Sequence, residues 1–301
     1  MSLEYFHVNV FSRVPYRGNG LPVFPTASGL HTSQMLSITQ ELRHLEAIFL
    51  EPGKDANTVH ARVFDLFEEL PFAGHPIIGA AAILHHLSGR TSPQTWQFKL
   101  TEKVVSIATE QTEYGYTGLL NQGVPEFLGM VTERDLFARA FGLTSGDLHP
   151  TLPLEVVSTG LRYLIIPVRP GVLQHARILS DITEMLRRVR AQFAVLFDEA
   201  ALEIRHWSND GTVEDVATGS AAGTIGAYRL RHRLTRAGER FILNQGRFIG
   251  RPSTLCVQPE GTSEAIQTVK VGGDVVLLGH GALEVLPTGA LQEQETTARE
   301  Q

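Results

Sequence analysis

Two short segments of the sequence combine glycine with side chains that can exchange protons. Residues 72–76 read FAGHP and residues 217–221 read ATGSA, and each stands between a polar stretch and an apolar one. A glycine that begins a helix leaves backbone N–H groups at the helix N-terminus, where a carboxylate binds well. His75 and Ser220 add polar side chains to the two segments. Each segment alone is equally an ordinary helix start, with small residues for close packing.

The symmetric placement of the two segments favours the functional interpretation. Gly74 and Gly219 are predicted to begin the two helices, and Asp215 stands four residues before Gly219. Two such helix N-termini facing one cleft could hold a small acid and stabilise an enolate-like charge. Neither segment continues as Gly-Lys-Ser/Thr, so neither is a phosphate-binding loop, and no GxGxxG motif supports a dinucleotide site.

Glu46 is the carboxylate that the pattern favours for proton transfer. It lies between a predicted helix end and the apolar run of residues 47–50 (AIFL). An acid at the mouth of a buried strand is partly removed from water, which suits a group that takes and returns a proton near neutral pH. A surface glutamate at a helix–strand junction remains the alternative on pattern alone.

No metal or cofactor signature accompanies these residues. His85 and His86 are neighbours on a predicted helix and point in different directions, so we predict surface positions rather than metal ligands. Ser220 lacks the Gly-x-Ser-x-Gly turn of hydrolases. We therefore expect no metal and no organic cofactor.

The composition limits the partners of the protein. The 301 residues carry a net charge of −6, with 43% hydrophobic and 19% charged residues. This balance predicts a globular protein without an electrostatic surface for nucleic acid. No run approaches the ~18 apolar residues of a membrane helix, and the first residues lack a signal core. Cys256 is the single cysteine, so nothing suggests an oxidising compartment, and we expect a cytoplasmic protein.

The elements that must position these residues recur along the chain. Each half contains an arginine, a glutamate and a glycine in the same order: Arg62 and Arg205, Glu69 and Glu214, Gly74 and Gly219. The separation is 143 residues for the arginines and 145 for the other two pairs. Although any two α/β halves share strand–helix order, one nearly constant offset favours duplication.

The fold predicted from this repeat is α/β (α+β), with two pseudo-symmetric domains. Each domain is expected to be a curved, mostly antiparallel sheet or barrel around a central apolar helix. The central helices are residues 77–87 and 221–230, which are apolar nearly all round. Residues 176–189 are predicted to form an amphipathic helix of the second half.

The predicted domains cover residues 1–125 and residues 126–272. Residues 273–287 are expected to cross back and complete the first domain. The polar residues 288–301 are predicted to form a flexible tail.

Several motifs together resemble the PhzF-like family of phenazine-biosynthesis proteins, whose fold is that of diaminopimelate epimerase. The matching segments are Gly18-Asn19, Leu45-Glu46-Ala47, residues 69–76 (ELPFAGHP), residues 213–223 (VEDVATGSAAG), residues 245–246 with 250–253, and residues 271–273. The resemblance spans most of the chain. The sequence departs from the family pattern at Gly20, at Asp65-Leu66 and at Val216.

The resemblance implies a cofactor-free isomerase acting on a small carboxylate. Glu46 would be the general acid/base in the interdomain cleft, with His75 and Asp215 beside it. The substrate-binding residues would be Gly18, Asn19, Ala73, Gly74, Thr218, Gly219 and Ser220. In the founding member, a proton leaves one ring carbon of trans-2,3-dihydro-3-hydroxyanthranilate and returns to another. The substrate here would be a cyclic or an amino or hydroxy acid, and the family suggests a homodimer.

Two other functions remain open. Amino-acid racemases and epimerases of the same fold place a cysteine in each glycine turn, where this chain has Ala73 and Thr218. Neither of these side chains can act as a thiol base. A non-catalytic protein that binds small acids is the other alternative. The presence of Glu46, His75 and Asp215, which could carry out proton transfer, argues against it.

Overall fold

The computed structural model describes residues 2–101 and 103–288, so the predicted tail lies outside the described residues apart from Thr288. The protein is a mixed α/β protein with a large β-sheet content and few helices. The chain separates into two compact units, which are considered one at a time. The first unit contains residues 1–120 and the chain from Asp274 onwards, and the second contains residues 121–273.

The described residues of the first unit form two helices among their strands. In chain order its elements are β1 (Leu3–Val10), β2 (Asn19–Phe24), α1 (Thr32–Leu42), β3 (Glu46–Pro52), β4 (Thr58–Asp65), β5 (Glu69–Leu70), α2 (Gly74–Ser88), β6 (Gln94–Lys99), β7 (Val104–Thr112) and β8 (Gly115–Asn121).

The second unit contains three α-helices and three short 3-10 helices. Its elements are β9 (Glu126–Val131), α3 (Arg134–Ala140), a 3-10 helix (Ser145–Asp147), β10 (Leu154–Ser158), β11 (Arg162–Val168), a 3-10 helix (Val172–His175), α4 (Thr183–Arg188), β12 (Phe193–Asp198), β13 (Glu203–His206), α5 (Gly219–Arg231), β14 (Phe241–Gln245), a 3-10 helix (Arg247–Ile249), β15 (Ser253–Gly261) and β16 (Ile266–Leu283), whose last part belongs to the first unit.

Strand pairing is mostly antiparallel in each unit, and the parallel pairs coincide with the helical connections. In the first unit β2 pairs parallel with β3 across α1, and β4 pairs parallel with β6 across α2. In the second unit β11 pairs parallel with β12 across α4, and β13 pairs parallel with β14 across α5. Parallel neighbours need such crossovers, because a tight turn can only join antiparallel strands.

The sheet of the first unit includes the last part of β16. From β1 the strand order runs through β2, β3, β4, β6 and β7 to β8. The last part of β16 pairs antiparallel with β1, from Val275 opposite Val10 to Leu283 opposite Leu3. Gly115 of β8 also approaches this strand, since a Cβ there would lie 2.5 Å from the carbonyl oxygen of Val275.

Helix α2 is buried almost all round, which explains its continuous apolar sequence. Ten consecutive residues from Gly74 to Ile83 are buried. At Gly79 the helix crosses β1 and β2 so closely that a Cβ would lie 2.6 Å from Leu21 and 3.0 Å from Val10. The other face of the sheet is covered by α1, whose Met35 and Ile38 belong to one buried cluster with Phe49 of β3 and Phe64 of β4.

Helix α5 of the second unit is likewise buried almost all round. Residues 221–230 are all buried, including the long side chains of Tyr228 and Arg229. Gly226 lies against β15 and β16, where a Cβ would be 2.6 Å from Val257. The two helices begin at Gly74 and Gly219, as the sequence predicts.

The prediction of one helix over residues 176–189 is wrong. Only Thr183–Arg188 is α-helical. The backbone N–H groups of Arg177 and Leu179 donate to carbonyl oxygens at the end of α3, which keeps this segment out of a helix. The apolar side chain of Ile182 is buried against the core of the second unit, so its position reflects tertiary packing.

The prediction that His85 lies on the helix surface is also wrong. His85 is fully buried, whereas His86 is exposed. The Nδ1 atom of His85 lies 3.0 Å from the Thr109 hydroxyl, and its Nε2 atom lies 3.0 Å from the carbonyl oxygen of Arg90. Both ring nitrogens are therefore used in local hydrogen bonds.

Candidate active site

The N-terminus of α2 brings an imidazole against a carboxylate. His75 is the second residue of α2, and Glu46 is the first residue of β3. The Nδ1 atom of His75 lies 3.3 Å from Oε2 of Glu46, and the two side chains are only 7% and 21% exposed. Two groups that can each bind a proton are thus in contact in a site largely screened from water, which is the arrangement that proton transfer requires.

The turn before β2 depends on glycine. Gly18 has φ +70°, and a Cβ there would lie 2.3 Å from the carbonyl oxygen of Val10. The turn is further held by the buried Asn9 side chain, whose Oδ1 accepts from the backbone N–H of Tyr16 at 2.7 Å. It delivers Asn19 to the start of β2, opposite Val10, where its side chain is buried.

A bidentate arginine–glutamate ion pair precedes the helix start in each unit. In the first unit the Arg62 guanidinium donates to both carboxylate oxygens of Glu69, at 2.9 and 2.5 Å. In the second unit Arg205 donates to Glu214 at 2.8 and 2.6 Å. Glu69 and Glu214 each stand five residues before the first residue of the helix. Paired hydrogen bonds of this kind fix orientation as well as distance, so each pair holds the loop that leads to its helix.

The loop before α5 is organised around Asp215 and Thr218. The Thr218 hydroxyl donates to Oδ2 of Asp215 at 2.6 Å. Gln245 supports both residues, since its amide N–H₂ group donates to the Thr218 hydroxyl and to the carbonyl oxygen of Asp215, each at 2.9 Å. Its amide oxygen accepts from the backbone N–H of Thr218 at 2.9 Å. The loop is therefore fixed through a buried glutamine that follows it by 27 residues.

Gly246 is expected to be essential for this support, with Gly250 as the matched control. Both glycines have positive φ, +83° and +75°. A Cβ on Gly246 would lie 2.4 Å from the carbonyl oxygen of Arg251 and 2.6 Å from that of Val216, whereas nothing lies within 4 Å at Gly250. Gly250→Ala should lower the free energy of unfolding by about 1–2 kcal/mol, because alanine is strained in the left-handed conformation. Gly246→Ala should suffer the same strain and lose ~1–3 kcal/mol more, because its Cβ also clashes with the two carbonyl oxygens. Denaturant titration measures both, and equal losses would contradict this account of Gly246.

Ser220 and Gly219 are also held within the second unit. The Ser220 hydroxyl lies 2.8 Å from the hydroxyl of Tyr163. The carbonyl oxygen of Gly219 accepts from the side-chain amide of Gln122 at 2.9 Å, and the Thr159 hydroxyl donates to the same amide's oxygen at 2.8 Å. The first turn of α5 is thereby tied to three other parts of the unit.

His206 is a buried imidazole next to this loop. Burial lowers the pKa of His206, and the negative charge of Asp215 and the hydrogen bond to the carbonyl oxygen of Ala194 only partly oppose this. Its Nδ1 atom lies 2.9 Å from that carbonyl, so the neutral ring donates there. The aromatic rings of Tyr163 and Phe193 pack against it at 5.4 and 5.7 Å between centroids.

The lowered pKa of His206 predicts a loss of stability in mild acid. Because the unfolded chain binds a proton near pH 6.5 and the folded chain resists it, the stability contributed by neutral His206 is present above that pH and falls as the pH drops below it. The slope is at most about 1.4 kcal/mol per pH unit for one proton. Denaturant titrations between about pH 5 and 7.5 should show a shallower slope for His206→Gln. An unchanged slope would exclude His206 as the cause.

Helices α2 and α5 both begin without a side-chain cap at their N-terminus. The N-cap residues are Ala73 and Thr218, both extended, and neither side chain caps its helix. Neither helix has an acidic residue in its first turn. The positive end of each helix dipole is thus not countered by a side chain of its own first turn, which favours an anionic ligand.

Sequence reasoning gave no supporting role to several residues that hold the predicted ones. Gln245, Tyr163 and Gln122 contact the α5 loop from positions 25 or more residues away in sequence. Only the Gln245-Gly246 pair carries a recognisable signal, a glycine turn directly after a strand. His206 follows Arg205 in a short strand, and nothing in its sequence neighbourhood marks it as buried.

The described part of the chain has neither a cluster of side chains suited to a metal ion nor a helix suited to cross a membrane. No group of three or more His, Cys, Asp or Glu residues within residues 2–101 and 103–288 is arranged to hold a metal ion. None of the helices described there is long and apolar enough to cross a membrane.

Comparison with known proteins gives one family over almost the whole chain. The family model described as phenazine biosynthesis-like protein (PhzC-PhzF) matches residues 8–281. The trans-2,3-dihydro-3-hydroxyanthranilate isomerase of Pseudomonas chlororaphis is 28% identical over 93% of this chain and 99% of its own length. An uncharacterized isomerase of Pasteurella multocida is 31% identical, covering 95% of each chain. The solved structure of a predicted epimerase from Pseudomonas aeruginosa has 44% identity and a TM-score of 0.88, covering 94% of this chain and 99% of that one.

Proposed function

Because this chain belongs to the phenazine biosynthesis-like family and is an isomerase, we propose that it moves a proton within a small carboxylic acid by using Glu46 as general acid and base. The observation that carries the proposal is the contact between Glu46 and His75, 3.3 Å apart and largely buried. The substrate class is a cyclic or an amino or hydroxy acid, by similarity to the isomerase from Pseudomonas chlororaphis.

In this proposal Glu46 removes a proton from one carbon and returns it to another. A carboxylate sheltered from water suits both steps, because burial disfavours the charged form of a carboxyl group and so strengthens its hold on a proton. The dipole at the N-terminus of α2 opposes a positive charge on His75. A neutral His75 hydrogen-bonds the substrate or Glu46 and leaves the transferred proton to the carboxylate.

The loop before α5 supplies the second part of the proposed site. Asp215 orients a polar group of the substrate, and the first turn of α5 at Gly219 and Ser220 binds its carboxylate through backbone N–H groups. Gly18, Asn19, Ala73, Gly74 and Thr218 make the remaining contacts in this proposal.

We further propose that the two units arose by duplication and are pseudo-symmetric, with domains close to residues 1–125 and 126–272. The recurring order of parallel crossovers supports this, as do the two arginine–glutamate pairs, whose glutamate in each case stands five residues before a helix.

The reaction is tested by solvent exchange. The protein is incubated in D₂O with a panel of small cyclic, hydroxy and amino acids, and deuterium in each recovered acid is located by NMR and mass spectrometry. Deuterium at a new carbon together with a moved double bond supports the isomerase. Binding of a panel member by calorimetry without any exchange would instead indicate a non-catalytic binding protein.

An epimerase is the second candidate, because a solved structure with 44% identity carries that name. An epimerase would return deuterium to the same carbon and invert its configuration. Ala73 and Thr218 stand where racemases of this fold are expected to have cysteines, so this chain lacks a thiol on either side. Chiral chromatography of the recovered acids separates the two outcomes.

Cofactor independence, a homodimer and a cytoplasmic location belong to the same proposal. Activity should survive treatment with EDTA and exhaustive dialysis, because no side-chain cluster in the described residues suits a metal. Loss of activity that metal restores would refute this part. Light scattering coupled to gel filtration should give about twice the 33.1 kDa of one chain.

A further inference from the structure

A second carboxylate stands directly across the sheet from Glu46. In the antiparallel pair of β3 and β4, the residue opposite Glu46 is Asp65. Directly opposite residues of an antiparallel pair point to the same face of the sheet, with Cβ atoms about 4.5–5.5 Å apart. Alternation along the strands agrees, because Ala47 and Phe64, the next pair, both belong to the cluster under α1 on the other face.

The Asp65 carboxylate is held by the backbone of its own turn. Its Oδ1 atom accepts from the N–H groups of Phe67 and Glu68, both at 2.7 Å. The turn is closed by the bond from the Asp65 N–H to the carbonyl oxygen of Glu68, and Gln40 of α1 donates to the carbonyl oxygen of Leu66. The charge is therefore fixed in position rather than carried on a freely moving side chain.

Other ionisable groups on the elements packed against β3 lie away from Glu46. His60 and Arg62 of β4 stand opposite Glu51 and Phe49, so they point to the other face of the sheet, and Glu41 of α1 is exposed. Strand β2 (NGLPVF) has no ionisable group, and α2 contributes His75, the direct neighbour of Glu46. The loop before β3 contributes His44, whose ring packs against His7 at 4.6 Å between centroids. Among the described residues of β3 and β4, Asp65 is thus the other acid on the face that Glu46 occupies.

We propose that Asp65 is a positioning residue for proton transfer: its fixed negative charge opposes ionisation of Glu46 and so helps the Glu46–His75 pair keep the proton that it transfers. The inference rests on the proposed function of Glu46. Like charges on neighbouring carboxylates favour protonation of one of them. Asp65 acts through Glu46 and is not itself expected to touch the substrate.

The test compares the titration of Glu46 in the intact protein with that in Asp65→Asn. Asparagine keeps the side-chain oxygen that accepts from the two backbone N–H groups and removes only the charge. Glutamate labelled with ¹³C at the carboxyl carbon reports each titration by NMR, and the Glu46 signal is assigned by its absence from Glu46→Gln. The Glu46 midpoint should fall by about half a pH unit or more in Asp65→Asn, the effect of one charge a few ångströms away.

Glu68→Gln is the matched control, since Glu68 is an exposed acid of the same turn. Its effect on the Glu46 midpoint should be clearly smaller. An unchanged midpoint in Asp65→Asn, or equal falls in the two variants, would overturn the proposal. Should Asp65→Asn fail to fold, Asp65→Ser retains an acceptor oxygen and takes its place with the same expected direction.

The titration is independent of any substrate. If Glu46→Gln later proves to retain solvent exchange, the proposed function fails while the measured coupling of the two acids stands. If the midpoint does not move but Glu46→Gln abolishes exchange, only the role of Asp65 is refuted.

Discussion

Glu46→Gln is expected to reduce turnover by about 10²-fold or more while leaving ligand binding largely intact. Glutamine keeps the shape of the side chain beside His75 and cannot take a proton from carbon. The loss should appear in kcat, because the carboxylate acts in the proton-transfer step rather than in holding the substrate. Solvent deuterium incorporation into the product, on the first accepted member of the acid panel, measures it directly.

His75→Asn tested beside it decides which of the two groups carries the proton. His75 is in contact with Glu46 and could itself serve as the base, since an imidazole titrates near neutral pH. We expect His75→Asn to slow exchange and Glu46→Gln to eliminate it. Full exchange by the Glu46 variant, with none by the His75 variant, would reverse the assignment.

Arg205→Met is expected to cause the largest loss of stability, about 3–5 kcal/mol. The guanidinium is 10% exposed and donates to both oxygens of the equally buried Glu214. It also donates to the carbonyl oxygens of Leu173 and Ala176. Its removal leaves a buried charge and two buried carbonyls without this donor. Denaturant unfolding followed by fluorescence and circular dichroism measures the loss.

Arg187→Met provides the control for charge removal. Arg187 pairs with Glu184 in equally good geometry, but their side chains are 77% and 57% exposed, so the loss of stability should be much smaller than at Arg205. The double variant Arg205→Met with Glu214→Gln should recover part of the loss, because the unpaired buried charge is then gone. Equal losses at Arg205 and Arg187 would show that burial of the pair is unimportant.

Local sequence signals were sufficient to predict the two helix starts. Gly74 and Gly219 each separate a polar loop from an apolar run, so neighbouring residues in the sequence are enough to indicate where each helix begins. The apolar character of α2 and α5 correctly indicated buried helices. The contact of Glu46 with His75, by contrast, joins residues 29 apart, and only the family resemblance brought them together beforehand.

The failures have a common physical cause, which is that distant partners decided the local structure. Apolar residues in the segment 176–182 mimic a helical face, yet backbone bonds to the end of α3 hold it in another conformation. The sequence predicts His85 at the surface, but the Thr109 hydroxyl and the carbonyl of Arg90 bond its ring nitrogens in the interior. The role of Gln245 likewise depends on a loop 27 to 30 residues earlier.

The pairing of strand β16 affects the order in which the two units can complete their sheets during synthesis. Its first residues pair with β15 inside the second unit, whereas residues 275–283 are the partners of β1 in the first. Strand β1 leaves the ribosome early but must wait for more than 260 further residues before this neighbour exists. Contacts so distant in sequence form slowly, since a large loop must close first. The second unit therefore has all of its strands before the first does, and during synthesis the nascent first unit carries an unsatisfied sheet edge that is vulnerable to aggregation.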